Sequence, residues 1–197
     1  VIHTIDKVAL SAESTFDVIA FSPVHNTLEQ ALIDTELDDV LNAGMYTVFA
    51  PTDAAIGNAL DGLDTDVKRN ILLNHVLAGA TTSSDLSSGY FKTQATEKIT
   101  GNDNPLDLYI NLDDGVTLNG VDDILSDNLN IETELGVVHV LDKAIPMPKV
   151  TTFAIADPTF DSLQAALTRG DLQTDFIDIL STENGTIPAP FTVFAPT

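Results

Sequence analysis

The sequence predicts an α+β fold, in which helical segments come first along the chain and short strands follow. Before residue 77 the apolar residues recur mostly at helical spacing, and one short apolar strand interrupts them. After Gly79 the pattern changes to short strands that are separated by Gly, Asn and Asp turns. The hydrophobic content of 44% is that of a globular chain rather than a disordered one.

The helices are predicted from apolar stripes and from the residues that begin or end them. Thr27 is expected to cap the second helix, and Gly44 to end the third. Thr52 or Asp53 is expected to cap the fourth. The fifth would place His75 on its inner side. In chain order the helices are expected at 16–21, 27–32, 37–44, from 53, and at 66–77, with two more at 159–169 and 172–180.

The strands are predicted where β-branched and aromatic residues cluster in short runs. Val48 and Phe49 have high strand propensity, and Pro51 cannot donate to a ladder, so pairing should stop there. A strand that turns at once into a capped helix forms a corner of the fold. The other strands are expected at 90–95, 108–112, 116–118 and 137–141.

Two stretches of the chain occur twice. Residues 47–52 return unchanged as residues 192–197, and each copy is predicted to be a short buried strand. Residues 1–8 are similar to residues 137–144, and His3 and His139 lie 136 residues apart. This period has the size of a whole domain rather than of a solenoid unit.

The repeats predict three units in tandem within a piece of a longer protein. The end of one repeat is expected at 1–10, a complete repeat at 11–148 and the truncated start of another at 149–197. Ile145-Pro146-Met147-Pro148 would be a short stiff linker between the last two. Residues 149–197 are not expected to fold alone, because isolated short helices are marginal in water.

Together these stretches resemble the fasciclin family (FAS1 domains). Residues 47–52, followed by Asp-Ala-Ala, are similar to its first signature, residues 136–143 to its second, and residues 72–77 to the segment between them. The resemblance implies a wedge-shaped sandwich of two β-sheets with short helices along one edge. It also implies a structural role for the matching residues, which are Thr47, Val48, Phe49, Ala50, Pro51, Thr52, His75, Gly136, His139 and Asp142.

The resemblance also implies a function in adhesion. Some animal relatives engage integrins through an Asp-Ile step before the second signature and through a Tyr-His segment. This chain has Asn130-Ile131 at the aligned step and Asn74 in place of the Tyr, while Asp123-Ile124 offers an Asp-Ile step in a shifted register. The candidate interaction residues are therefore Asn74, Asp123, Ile124, Asn130 and Ile131. The alternative is that Ile124 and Ile131 belong to the core.

His75 and His139 are predicted to be structural. Buried neutral histidines held by hydrogen bonds are the simpler explanation for His75 and His139, since no HxH or HExxH spacing exists. His25, in a polar turn, is expected to be exposed. No Ser/His/Asp order, nucleophile elbow or phosphate loop is present in the sequence, so no catalysis is expected.

The charge is strongly negative, with 30 acidic and 8 basic residues and a formal net charge of −22. Such a surface repels nucleic acid and anionic membranes. No apolar run approaches the ~20 residues of a membrane span, so no direct membrane insertion is expected in this fragment. Asp-rich turns such as 61–66, 113–114 and 122–123 could bind Ca²⁺ weakly, but none matches an EF-hand loop. Solvated turns are favoured, and no cofactor is expected.

The sequence thus predicts an adhesion or matrix module that is secreted or held at the cell surface, and the periplasm is the alternative location. It would act through multivalent contacts with extracellular protein or polysaccharide, with self-association as a further expected contact. The alternative is a binding module for a surface polysaccharide or a small ligand. The acidity and the absence of Cys favour a bacterial source.

Overall fold

A computed structural model describes residues 13–98, 101–113, 115–121, 129–171, 173–182 and 188–196. Helices dominate residues 15–73 and strands dominate residues 76–141, as the α+β prediction requires, and further helices follow the last strand. The helices are α1 (Thr15–Ala20), α2 (Asn26–Asp34), α3 (Asp38–Ala43), α4 (Asp53–Ile56), α5 (Thr65–Leu73), α6 (Val150–Ala156), a 3₁₀ turn (Pro158–Phe160), α7 (Asp161–Leu167) and α8 (Phe176–Leu180). The strands are β1 (Tyr46–Pro51), β2 (Val76–Ala78), β3 (Gly89–Thr96), β4 (Pro105–Asn111), β5 (Thr117–Leu118), β6 (Ile131–Thr133) and β7 (Gly136–Leu141).

The strands form a seven-stranded mixed sheet in the order β5-β4-β3-β2-β1-β7-β6. Among the paired strands of the described residues, only β1 and β7 are parallel, and this pair runs in register from Tyr46 opposite Gly136 to Pro51 opposite Leu141. β3 joins two halves of the sheet, since it pairs with β4 along most of its length and with β2 only at Thr93. A register shift in β3 between residues 92 and 96 allows the strands to change direction.

Two hydrophobic cores lie on opposite sides of β1. Val48 and Ala50 point toward α1–α5, where they pack in the helix-side core. Phe49 points the other way, because successive side chains of a strand alternate between faces. Its cluster contains Leu77 from one half of the sheet and Leu108 from the other, together with Leu86, Ile110, Leu118, Leu141 and Ile145. The two halves therefore face each other across one core, with the helices on the outer side of one of them.

The predicted helix at 66–77 ends earlier, with α5 at Leu73 and Asn74 as its C-cap. Val76–Ala78 pairs with β1 instead, because the sheet satisfies the backbone groups of these residues. The strand β6, at the edge of the sheet, was not predicted, since three residues are too short for a periodic signal.

The caps around β1 differ in part from those expected. Thr52 does cap α4, since its side chain accepts a hydrogen bond from the Ala55 N–H at 3.3 Å. Thr27 does not cap α2: its own N–H donates to Asp53 Oδ1 at 2.7 Å, so Asp53 stabilises the start of a different helix. The corner after β1 thereby ties α2 and α4 together.

The second copy of the six-residue motif is not a strand in the described part of the chain, which corrects the prediction for residues 192–197. Phe194 is 93% exposed, whereas Phe49 is fully buried. β1 owes its burial to β2 and β7 on its two sides, and no described strand flanks the second copy. The helices α7 and α8 likewise contain no buried residue.

Candidate functional site

Motif residues on β1 and β7 hold the loop that connects β2 to β3. Thr47 Oγ1 donates to the Gly79 carbonyl and accepts from the Thr81 N–H, each at 2.8 Å. On β7, the His139 Nε2–H donates to the Thr81 carbonyl at 3.0 Å. The two signatures therefore meet at one loop, residues 79–88, which we call the clamped loop.

Asn130 completes the attachment of the clamped loop. Its side-chain oxygen accepts from the Ser83 N–H at 2.6 Å, and its amide group donates to Ser83 Oγ at 2.7 Å. The backbone N–H of Asn130 also donates to His139 Nδ1 at 3.4 Å, so both ring nitrogens of this histidine are occupied. Its ring lies against Phe49, with 5.4 Å between the ring centres. Burial lowers the pKa of His139 and outweighs the hydrogen bond to Thr81, which acts in the opposite direction.

His75 holds the start of residues 145–148, the segment predicted above to be a linker and called the linker below. Its Nδ1–H donates to the Ile71 carbonyl at 2.9 Å, and its Nε2 accepts from the Ile145 N–H at 2.9 Å. These bonds fix a single neutral tautomer. Because the ring is buried, the pKa of His75 is lowered from 6.5 to about 4, although the bond to Ile71 acts in the opposite direction.

Two asparagines hold the next residue of the linker. The side-chain amides of Asn74 and Asn119 both donate to the Pro146 carbonyl, each at 3.3 Å. Asn119 has a positive φ of 52°, and its side-chain oxygen accepts from the Tyr109 N–H at 2.9 Å. Sequence reasoning did not identify Asn119. The Asn119-Gly120 pair is a turn signal, but the linker it contacts is far away in sequence.

The candidate interaction residues do not form one exposed surface. Asn74 is completely buried, so its side chain cannot reach a partner at the surface. Asn130 is engaged with the clamped loop, and Ile131 is partly buried against the helix-side core. Asp123 and Ile124 lie outside the described residues.

The remaining motif positions differ in burial. Gly136, at the start of β7, is buried with φ +144°, and a Cβ there would lie 1.9 Å from the Tyr46 carbonyl oxygen. Asp142, just after β7, is exposed.

His25 is buried, which corrects the expectation of an exposed residue. Its Nε2–H donates to the Ala50 carbonyl at 3.3 Å, and Ser22 Oγ donates to its Nδ1 at 2.7 Å. Burial lowers its pKa and outweighs the Ala50 bond and the nearby Asp53 charge. Local sequence gave no signal for this contact, because Ala50 lies on β1.

An apolar cavity of about 210 Å³ lies between the α4–α5 region and the linker. His75 contributes to its wall, but both ring nitrogens are already hydrogen-bonded within the protein. The other lining residues are Pro51, Ile56, Ala59, Leu60, Ile71, Leu72, Ala144, Ile145, Pro146 and Met147. The cavity thus offers an apolar surface and no ionised group.

Within the residues described, no group of three or more His, Cys, Asp or Glu side chains is placed to hold a metal ion. The same part of the chain contains no helix with the length and apolar character needed to cross a bilayer. Of the Asp-rich turns considered for Ca²⁺, residues 114, 122 and 123 lie outside the described residues.

The fold and the site define an α+β module whose motif residues hold its own loop and linker in place. Comparison with known protein families then gives the particular family. The Fasciclin domain model matches residues 23–148, and the chain belongs to the fasciclin family. The family and the fold class predicted from the sequence are confirmed.

Relatives of the chain include bacterial cell-surface proteins. It is 32% identical over 129 residues to the uncharacterised protein sll1735 of Synechocystis sp., a match that covers 62% of this chain and 89% of the relative. It is 38% identical over 87 residues to the cell surface glycolipoproteins MPB83 of Mycobacterium bovis and MPT83 of Mycobacterium tuberculosis. These matches cover 39% of this chain and 40% of each mycobacterial protein.

A solved structure shares the fold. A FAS1 domain pair from the insect cell adhesion molecule fasciclin I matches with a TM-score of 0.53 and 16% sequence identity. The match covers 70% of this chain and 52% of the insect chain. At this identity the likeness shows the fold alone.

Proposed function

We propose that this protein is a secreted or cell-surface adhesion module that acts through multivalent contacts with extracellular protein or glycan and carries out no catalysis. The observation that carries the proposal is the Fasciclin domain match over residues 23–148, together with relatives that are named as cell-surface glycolipoproteins. The acidic, Cys-free sequence supports a bacterial source.

The geometry of the motif residues supports a scaffold role for them. The polar atoms of Thr47, His75 and His139 are engaged in bonds within the repeat. A partner would therefore meet the outer surface, which carries most of the excess negative charge and exposed apolar side chains such as Phe21 and Met45. Contacts of this kind are individually weak, and repetition can raise avidity by roughly 10²–10⁴.

Beads coated with the full chain test the proposal through surface density. We expect dense coating to give clustering or cell-surface binding at 0.15 M salt and far less at 0.01 M. The reason is that the screening length is about 30 Å at 0.01 M but about 8 Å at 0.15 M, so the acidic surfaces repel each other less at the higher salt concentration. Sparse coating should bind much less at either salt concentration. Ca²⁺ and Na⁺ compared at equal ionic strength separate a specific effect of Ca²⁺ from screening. Equal binding by sparse and dense beads at 0.01 M salt would contradict multivalency.

The apolar cavity supports a second candidate, a binding module for a small apolar ligand. Its volume of about 210 Å³ lies below the roughly 300–1,000 Å³ of ordinary ligand sites, which is why this candidate ranks second. Its apolar lining favours a small apolar molecule over a polysaccharide, which needs polar partners.

Azulene, a small uncharged apolar dye, tests the second candidate. If the cavity takes ligands, Ala59→Leu at its lining should weaken dye binding at least about fivefold, because the added methylenes fill part of the space. Ala54→Leu is the matched control, since Ala54 is exposed on α4 and does not line the cavity. Equal dye binding by both variants would remove the cavity from consideration.

A further inference from the structure

We propose that the outer face of β3 and β4 is a docking surface for the start of the following repeat, and that it holds consecutive repeats in a fixed relative orientation. The inference rests on the proposed boundary between residues 148 and 149 and is independent of the adhesive function. Tyr90 and Tyr109 form this surface, which we call the tyrosine face. Its partner is α6 together with Asp157.

Aromatic rings form the first contact between the tyrosine face and α6. We call the whole set of contacts between them the joint. Tyr90 and Tyr109 are opposite each other in the β3–β4 register, and their ring centres lie 4.8 Å apart. Phe153 of α6 meets the Tyr90 ring edge-on, with 5.5 Å between the centres and 67° between the planes. The neighbours Phe91, Leu108 and Ile110 face the inner core instead. Tyr109 is only 7% exposed, whereas Tyr90 remains 46% exposed, so α6 covers part of the tyrosine face and leaves one side of the Tyr90 ring open to solvent.

The buried carboxylate of Asp157 forms the second part of the joint. Tyr90 Oη donates to Asp157 Oδ2 at 2.7 Å, and Asp157 is only 5% exposed. Its other oxygen accepts from the Thr159 N–H and hydroxyl, at 2.9 and 2.7 Å. Burial would by itself raise the pKa of Asp157, but the bonds from Tyr90 and Thr159 outweigh it and lower the pKa. A buried charge needs such partners, and one of them comes from the preceding repeat.

Close backbone packing makes the third part. Gly120 has φ +75°, and a Cβ at this position would lie 3.0 Å from the Ala156 Cβ and 3.4 Å from its Cα. Any larger residue would push α6 away from the turn after β5. The absence of a side chain at Gly120 therefore lets the end of α6 approach the first repeat.

The linker itself is held at both ends. Ile145 and Pro146 are bound to the first repeat by His75, Asn74 and Asn119. Phe153 and Asp157 are bound to the tyrosine face. The short segment between these anchors, residues 147–152, contains Pro148 and the first turn of α6, so it has little freedom to pivot.

The test uses NMR on the full chain. We expect contacts between the Tyr90 and Phe153 rings, and residual dipolar couplings of α6 that fit the same alignment tensor as β1 and β7. Couplings that need a second tensor, or are averaged toward zero, would overturn the proposal. Neither measurement involves adhesion, so this result and that of the bead experiment can fail separately.

Substitutions at Tyr90 and Asp157 test whether their contact holds α6 in place. Tyr90→Phe keeps the ring but leaves the Asp157 carboxylate without one donor, and should speed hydrogen exchange of the α6 amides about tenfold or more. Asp157→Asn should also speed exchange of the α6 amides. The variant with both substitutions should speed it by less than the two separate effects combined. Asp61→Asn, an exposed charge on a turn, is the matched control and should leave α6 unchanged. Retained protection of β3 and β4 shows that each variant folds, and unchanged exchange in Tyr90→Phe would count against the joint.

Discussion

Gly136→Ala is expected to destabilise the protein by at least about 4 kcal/mol, a large part of the stability of an ordinary domain. A Cβ at this position would lie 1.9 Å from the Tyr46 carbonyl oxygen and 3.0 Å from a methyl group of Thr15. The backbone also has φ +144°, which an L side chain rarely adopts. Relief of the clash requires β7 to move away from β1. Urea unfolding followed by circular dichroism measures the change.

Gly62→Ala is the matched control for this experiment. Gly62 also has a positive φ, of +69°, but no atom lies within 4 Å of the position a Cβ would take. Its substitution should cost only the conformational strain, about 1–2 kcal/mol. Equal losses in the two variants would show that the contact with Tyr46 is not what excludes a side chain at Gly136.

Stability is expected to fall as the pH is lowered from 6.5 toward 4. The pKa of His75 is about 4 in the folded protein and near 6.5 in the unfolded chain, so only the unfolded chain binds a proton in this range. The difference corresponds to roughly 3 kcal/mol, lost progressively between these two pH values. His25 and His139, whose pKa values are also lowered by burial, act in the same direction.

His75→Gln isolates the contribution of this residue. The variant should be less stable at pH 7 by about 1–3 kcal/mol, because Gln cannot reproduce both hydrogen bonds of the ring. It should lose less stability than the natural protein between pH 6.5 and 4. This comparison also removes the pH effects that the two proteins share, such as the loss of stability when Asp53 and Asp157, whose pKa values are lowered in the folded protein, become protonated. Parallel pH curves for the two proteins would mean that His75 titrates normally and is not buried as described.

The strands at the centre of the sheet were predictable because their own residues specify them. β1 and β7 are apolar runs, and Pro51 marks the end of the first. β2 was not predictable, since Val76–Ala78 continues the helical spacing of α5 and becomes a strand only because β1 lies beside it. The second copy of the β1 motif shows the same dependence on neighbouring strands. It has the same residues as β1, but no described strand lies beside it, and it is not a strand in the described structure.

The motif residues of the site were also predictable, but their contacts were not. His75 and Asn74 reach Ile145 and Pro146, which lie about seventy residues further along the chain. Asn119 and Tyr90 belong to no recognised motif, and only the tertiary structure brings them to the linker and to α6. Local periodicity carries no information about such distant pairs. For the same reason the sequence led to the expectation that His25 is exposed, although it is buried and bonded to Ala50.

The parallel pairing of β1 with β7 has a mechanical consequence. When the chain is stretched from its ends, tension reaches β1 at Tyr46 through the helices before it and β7 at Leu141 through residues 142–148. The two pulls run in opposite directions along parallel strands, so they slide one strand past the other. Sliding loads the bonds of all six register pairs from Tyr46–Gly136 to Pro51–Leu141 together. An antiparallel pair pulled from these points would open one bond after another, whereas this pair ruptures as a cooperative unit.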